Sequence, residues 1–134
     1  MTRYGSGTAL VFDTSAFARR QEPQVSERWE ATARAGLLAV CPVVALEIVA
    51  AARDEDAFAR LDANLARLTL RAPITEAVGA AALGAARELG GSRRIPAADY
   101  LIAAAAAARG FGVLHDDRHF EVLARVLAFE SVRV

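Results

Sequence analysis

The stretch Thr8-Ala-Leu-Val-Phe-Asp13-Thr-Ser15 constrains the fold more than any other part of the chain. Thr8 to Phe12 is apolar and partly β-branched, the composition of a strand buried on both faces. Asp13 follows with no cation beside it, and Thr14 or Ser15 can cap a helix that Ala16-Phe17-Ala18 continues. Strand, acid, cap and helix make the first half of a βαβ unit. In open parallel sheets ligands bind outside the carboxyl ends of strands, which is where Asp13 would stand. A turn or N-cap role explains Asp13 equally well in isolation, so the reading depends on what else reaches that edge.

The rest of the chain alternates in the same way. Pro23 breaks the first helix, and Ser26-Glu27-Arg28-Trp29 opens a second that runs to about Ala35 before Gly36. Leu37 to Cys41 reads as a second strand, and Pro42 begins a helix at its first position, where the missing N–H costs nothing. Asp54 caps a helix over Glu55 to Arg67, with Phe58, Leu61 and Leu65 at helical spacing. Leu68 to Leu70 is a brief strand, and Thr75-Glu76 starts an alanine-rich helix ended by Gly90-Gly91. Pro96 opens the helix Ala97 to Arg109, terminated by Gly110. Phe111 to His115 reads as a strand, Asp116-Asp117-Arg118 as a loop, Phe120 to Leu127 as a last helix and Val132 to Val134 as an edge strand. The expectation is an α/β fold, three-layer α/β/α, with a mostly parallel central sheet of about four to five strands.

At 134 residues the chain has the size of one domain, with residues 1–7 as a flexible extension. Net charge is zero, so nucleic acid would have to be held by local patches. All 16 cations are arginine. Without lysine there is no Walker A loop and no receiver-domain phosphorylation site. Gly5-Ser-Gly7 precedes the first strand instead of following it, the wrong context for a dinucleotide loop. Ser15 stands where a haloacid dehalogenase would carry its second Asp. Cys41 is the only cysteine, which excludes an internal disulfide. The N-terminus has no signal-like apolar run and no stretch could span a bilayer, so a cytoplasmic protein is expected.

Three more acids converge on Asp13. Asp117 follows the strand ending at His115. Glu47 lies in the second turn of the helix begun by Pro42, and Asp99 in the first turn of the helix begun by Pro96. Helices running antiparallel to the strands start at the strands' C-terminal edge, so all four acids share it. Glu47 and Asp99 have apolar helical neighbours and no local cation, and desolvating such carboxylates costs several kcal/mol unless a cation, a raised pKa or a metal compensates. Several oxygen ligands together suit Mg²⁺ or Mn²⁺. His115 and His119 lack a third nitrogen or sulfur ligand for zinc, and Trp29 reads as core or partner interface.

Asp13-Thr-Ser-Ala16 after a strand, Glu47 in an apolar helix, Pro96-Ala-Ala-Asp99 and Val113-Leu-His-Asp-Asp117-Arg-His-Phe120 together resemble PIN-domain ribonucleases. More narrowly, the chain resembles the VapC-type toxins of bacterial toxin–antitoxin pairs, over nearly its whole length. The resemblance implies Asp13, Glu47, Asp99 and Asp117 as catalytic and metal-holding acids, with Thr14, Ser15 and Asp116 in support. It further implies one or two Mg²⁺ or Mn²⁺ ions, an RNA substrate, a homodimer and a VapB-type antitoxin that blocks the pocket. His119 departs from the pattern, since many relatives carry an acid there, and this bears on the second ion. Arg19, Arg20, Arg93, Arg94 and Arg118 fall near the acidic edge and are candidates for phosphate contacts. Two other readings fit the same residues: another Mg²⁺-dependent phosphoester hydrolase, or a catalytically weak PIN-like module that binds RNA or protein.

Overall fold

A computed structural model describes residues 7–91 and 94–134. The extension over residues 1–6 and Arg93 lie outside the described residues. Five strands form one sheet in the order β3-β2-β1-β4-β5. They are β1 (Leu10–Phe12), β2 (Leu38–Val40), β3 (Leu70–Arg71), β4 (Gly112–His115) and β5 (Ser131–Arg133). Every pairing is parallel, so the sheet is wholly rather than mostly parallel. β5 does occupy an edge, and β3 is the other.

Seven helices connect the strands among the described residues: α1 (Thr14–Ala18), α2 (Pro23–Arg34), α3 (Pro42–Ala50), α4 (Glu55–Ala66), α5 (Glu76–Leu89), α6 (Ala97–Arg109) and α7 (Arg118–Leu123). Local chemistry sets most of their ends. Asp54 and Thr75 accept hydrogen bonds from Ala57 and Val78 N–H, closing α4 and α5 at their first turns. Gly90 and Gly110 end α5 and α6 in the left-handed conformation that a glycine adopts without strain. Several boundaries differ from the sequence expectation by one to four residues, β3 running Leu70–Arg71 rather than Leu68 to Leu70 and β5 Ser131–Arg133 rather than Val132 to Val134. Pro23 is the first residue of α2 rather than only a breaker, because its fixed φ suits the first helical position. The last helix starts at Arg118 and stops at Leu123, because the Asp117 carboxylate caps it by accepting from His119 N–H.

Chain direction across the sheet changes at β1. The path steps from β1 to β2 to β3, then returns to β4 and β5 on the far side of β1. With right-handed crossovers, the reversal puts the two sets of helices on opposite faces, giving three layers. Side-chain packing agrees: Phe12 meets Trp29 edge-on at 5.0 Å, with Phe17 at 6.0 Å from each, joining β1, α1 and α2. Trp29 is therefore half-buried and packed against the core. α6 lies against β1 and β4 through the buried run Ile102 to Ala106, whose small side chains allow close approach. At Gly112 a Cβ would stand 2.8 Å from Leu10 Cδ2 and 2.9 Å from the Glu130 carbonyl, so β4 is threaded where only glycine fits. The crevice between β1 and β4, at their carboxyl ends, is the switch point where such sheets bind ligands.

Candidate metal centre and active site

Asp13 and Asp117 reach this crevice for the same reason: each caps the helix that leaves its strand. Asp13 N–H bonds the Leu114 carbonyl at 2.9 Å, which extends the β1–β4 ladder by one step and fixes the acid at the strand end. Its Oδ2 accepts from Ser15 N–H at 3.3 Å and from Ser15 Oγ at 2.7 Å. The same Ser15 hydroxyl accepts from Asp116 N–H at 3.0 Å, so one side chain ties the end of β1 to the end of β4. Asp99, in the first turn of α6, is buried, as is Asp13.

Burial pushes the Asp99 carboxyl up to about 6, and the nearby charges of Asp13 and Asp117 push the same way. Its hydrogen bond with His119 works in the opposite sense. His119 Nδ1 lies 3.1 Å from Asp99 Oδ2 and 3.2 Å from Asp117 Oδ1. Ligand atoms of Asp99, Asp117 and His119 all fall within 4.8 Å of one another. Two carboxylates and an imidazole that close, with Asp13 adding charge, form a donor set that fits a divalent cation.

Glu47 is brought to the same neighbourhood differently. Its Oε1 accepts from Thr14 Oγ1 at 2.8 Å, linking α3 to the first residue of α1. Glu47 is exposed, so the desolvation argument that applies to Asp13 and Asp99 does not apply to it. The apolar residues around it in sequence do not bury it, and Leu46 beside it is 65% exposed.

Asp116, although adjacent to Asp117, faces other partners. It is paired with Arg19 and, at 3.4 Å, with Arg133 Nε, while Arg133 also reaches Glu121 at 3.0 Å. Although slight burial opposes it, the two arginines hold the Asp116 carboxyl below its usual range. Two of the arginines picked as phosphate contacts are thus engaged within the fold. Arg19 braces Asp116 and Glu22, while Arg20 sits 3.8 Å over the Phe17 ring and donates to the Phe17 carbonyl. Arg94 and Arg118 are exposed.

The two histidines differ in kind. His115 is fully buried, and its Nδ1 accepts from Asp117 N–H at 3.1 Å. The ring proton is then on Nε2, which donates to Ser131 Oγ at 2.7 Å. Burial holds this imidazole below its ordinary pKa, consistent with a neutral ring that orients Asp117 from behind. In the sequence His119 stands out as a departure from a pattern and as one of two histidines four apart that lack a third zinc ligand. Its position just inside the helix that Asp117 caps is the local signal that its ring lies beside that acid.

The PIN domain family profile matches residues 10–126. Ribonuclease VapC51 of Mycobacterium tuberculosis is 37% identical over 120 residues, covering 87% of this chain and 85% of that protein. Ribonuclease VapC18 of the same organism is 34% identical over 127 residues, covering 87% and 90%. Among solved structures, VapBC-5 from M. tuberculosis, a member of the VapBC family of toxin–antitoxin systems, superposes with a TM-score of 0.66 at 26% identity, covering 95% of this chain and 99% of that one. VapBC2 from Rickettsia felis, bound to a promoter DNA fragment, superposes at 0.72 with 16% identity, covering 93% and 98%. With the wholly parallel sheet, the switch-point acids and these matches together, the chain belongs to the PIN-domain family.

Proposed function

We propose that this chain is the toxin of a type II toxin–antitoxin pair, a Mg²⁺- or Mn²⁺-dependent endoribonuclease acting in the cytoplasm, where its RNA substrate is found. One observation carries the reading: ligand atoms of the buried Asp99, of Asp117 and of His119 lie within 4.8 Å of one another at the switch point, where burial and the charges of Asp13 and Asp117 push the Asp99 carboxyl up. A site that crowds acids in this way is unfavourable until a cation enters. Asp99 and Asp117 would hold the ion, directly or through water, and Asp13 and Glu47 would complete the acidic edge and orient the attacking water. The bound ion offsets the phosphate's charge and lowers the pKa of a coordinated water. The chain's own contribution is positional. Ser15 fixes Asp13, His115 fixes Asp117, and Thr14 fixes Glu47. Arg94 and Arg118, exposed near the edge, are the arginines proposed to meet RNA phosphates, with Arg93 next to Arg94 in sequence.

The partner side of the proposal rests on the relatives, since VapBC-5 is a member of a family of toxin–antitoxin systems. A VapB-like antitoxin is the expected partner, and a homodimer is the expected assembly. Residues 1–134 act as one nuclease domain, of which the family profile spans residues 10–126. The test is cleavage of total bacterial RNA by wild type and by Asp99→Asn, each with Mn²⁺ and with EDTA. Discrete fragments from wild type with metal alone support the reading. Equal cleavage by Asp99→Asn, or cleavage in EDTA, would reject it.

A further inference from the structure

We propose that His119 is an imidazole ligand of the bound ion and tilts the site towards first-row transition ions over Mg²⁺. The inference rests on reading the acidic edge as a metal site, and deepens it. Around an octahedral ion at about 2.1 Å, neighbouring ligand atoms stand about 3 Å apart. Nδ1 of His119 lies at 3.1 Å from Asp99 Oδ2 and 3.2 Å from Asp117 Oδ1. Nδ1 can therefore take a corner adjacent to each of these two oxygens, once the proton it shares with Asp99 in the ion-free site has moved to Nε2 or left as the ion binds.

The ring is held in place before any ion arrives. His119 N–H donates to Asp117 Oδ1 at 2.9 Å, and the next residue, Phe120, is fully buried and packs at 5.0 Å against His115. The imidazole therefore sits at the start of α7 on an anchored backbone. Of the chain's 2 histidines, His115 has both ring nitrogens committed, to Asp117 N–H and to Ser131 Oγ. His119 is the one positioned to bind metal.

The consequence for ion choice follows from ligand chemistry. Mg²⁺ takes oxygen ligands and keeps its waters, and gains little from imidazole. Transition ions bind nitrogen more strongly along the series from Mn²⁺ upward. A neutral ring also fills the position without adding a negative charge beside Asp13, Asp99 and Asp117. An aspartate at position 119 would add that charge and restore an all-oxygen shell.

The test uses Mn²⁺ bound to the purified full chain and pulsed electron paramagnetic resonance. A directly bound imidazole gives a ¹⁴N modulation that changes when histidine alone is labelled with ¹⁵N. The proposal expects that signal from wild type, and its loss in His119→Asp. Calorimetric competition should show the Mn²⁺ to Mg²⁺ affinity ratio falling by about tenfold or more in His119→Asp. Bound Mn²⁺ without a histidine nitrogen signal, or an unchanged ratio in His119→Asp, would overturn the ligand role. If Asp99→Asn abolished Mn²⁺ binding in that case, the metal site itself would stand. A wild-type chain that bound no Mn²⁺ would overturn both readings.

Discussion

Replacing Asp99 by asparagine should stabilise the protein in EDTA while ending its activity. The perturbation removes one ionised carboxyl whose side chain is only 11% exposed and which stands among other acids. Holding that carboxyl at about 6 against an ordinary 3.8 corresponds to roughly 3 kcal/mol of destabilisation at high pH, when it is ionised in both folded and unfolded states. The sign follows from the folded pKa lying above the unfolded one. Well below pH 3.8, Asp99 is protonated in both states and resembles asparagine, so the two proteins should match. Between about pH 4 and 6 the unfolded chain ionises first and wild type loses stability relative to the variant. Above about pH 6 the difference levels off. Asparagine keeps an acceptor for His119 but loses the charge-assisted part of that bond, so the net gain is about 1–3 kcal/mol. For a chain of 134 residues, each kcal/mol corresponds to roughly 3–4 °C in Tm. Thermal melts of both proteins in EDTA from pH 4 to 8 provide the assay, with Mn²⁺ added in a second series. Mn²⁺ should raise the wild-type Tm and leave the variant nearly unmoved. A variant less stable than wild type at pH 8 in EDTA, or a difference that does not change with pH, would refute the charge-crowding argument.

Ser15→Ala should cost about 1–2 kcal/mol, because Asp13 Oδ2 and Asp116 N–H lose the hydroxyl that joins them. It should also slow cleavage by about tenfold without abolishing it, a split that urea titration and RNA cleavage together would read. Asp116→Asn breaks partly exposed pairs with Arg19 and Arg133. Cleavage should stay within about fivefold of wild type, whereas Asp117→Asn should reduce it below detection; equal losses would place Asp116 among the ligands. Gly112→Ala forces a Cβ to 2.8 Å from Leu10 Cδ2 and 2.9 Å from the Glu130 carbonyl. Urea unfolding should show a loss of about 1–3 kcal/mol.

What the sequence disclosed, and what it withheld, follows from the range over which each interaction acts. Helix caps and stops are written within a few residues: Asp54, Thr75, Gly90 and Gly110 end their helices as local chemistry requires. The doubly buried strands were legible because continuous apolar runs have few other uses. Strand ends were blurred by a residue or two, since a hydrogen-bond ladder stops where the partner stops. Burial of an individual acid was the least legible property. Glu47, with valine, alanine, leucine and isoleucine around it in α3, is exposed, whereas Asp99 in an equally apolar helix is buried. The difference lies in packing: α6 presses on β1 and β4, while α3 leaves Leu46 and Glu47 facing outward. Arg19 and Arg133 showed no local sign of meeting Asp116, because their separations in the chain are long and nothing in spacing encodes them.

The two neighbouring aspartates after β4 show how one strand end can serve two purposes. Backbone alternation sends consecutive side chains in different directions, so Asp116 turns to Arg19 and Arg133 while Asp117 turns to α7, His119 and the other acids. The first neutralises its charge within the fold. The second does not, and the Asp117 charge instead helps to raise Asp99. Net charge at the edge therefore depends on which acids the arginines reach, and Ser15 braces that arrangement. Its hydroxyl pins Asp116 N–H to the Asp13 carboxylate and so fixes the rotation of the β4 end. A chain lacking that hydroxyl could turn Asp117 towards the arginines and release the crowding that makes the site receptive to a cation. Ser15→Ala should accordingly weaken Mn²⁺ binding as well as cleavage. An unchanged Mn²⁺ affinity, measured by titration calorimetry, would show that the strand end holds its orientation without the serine.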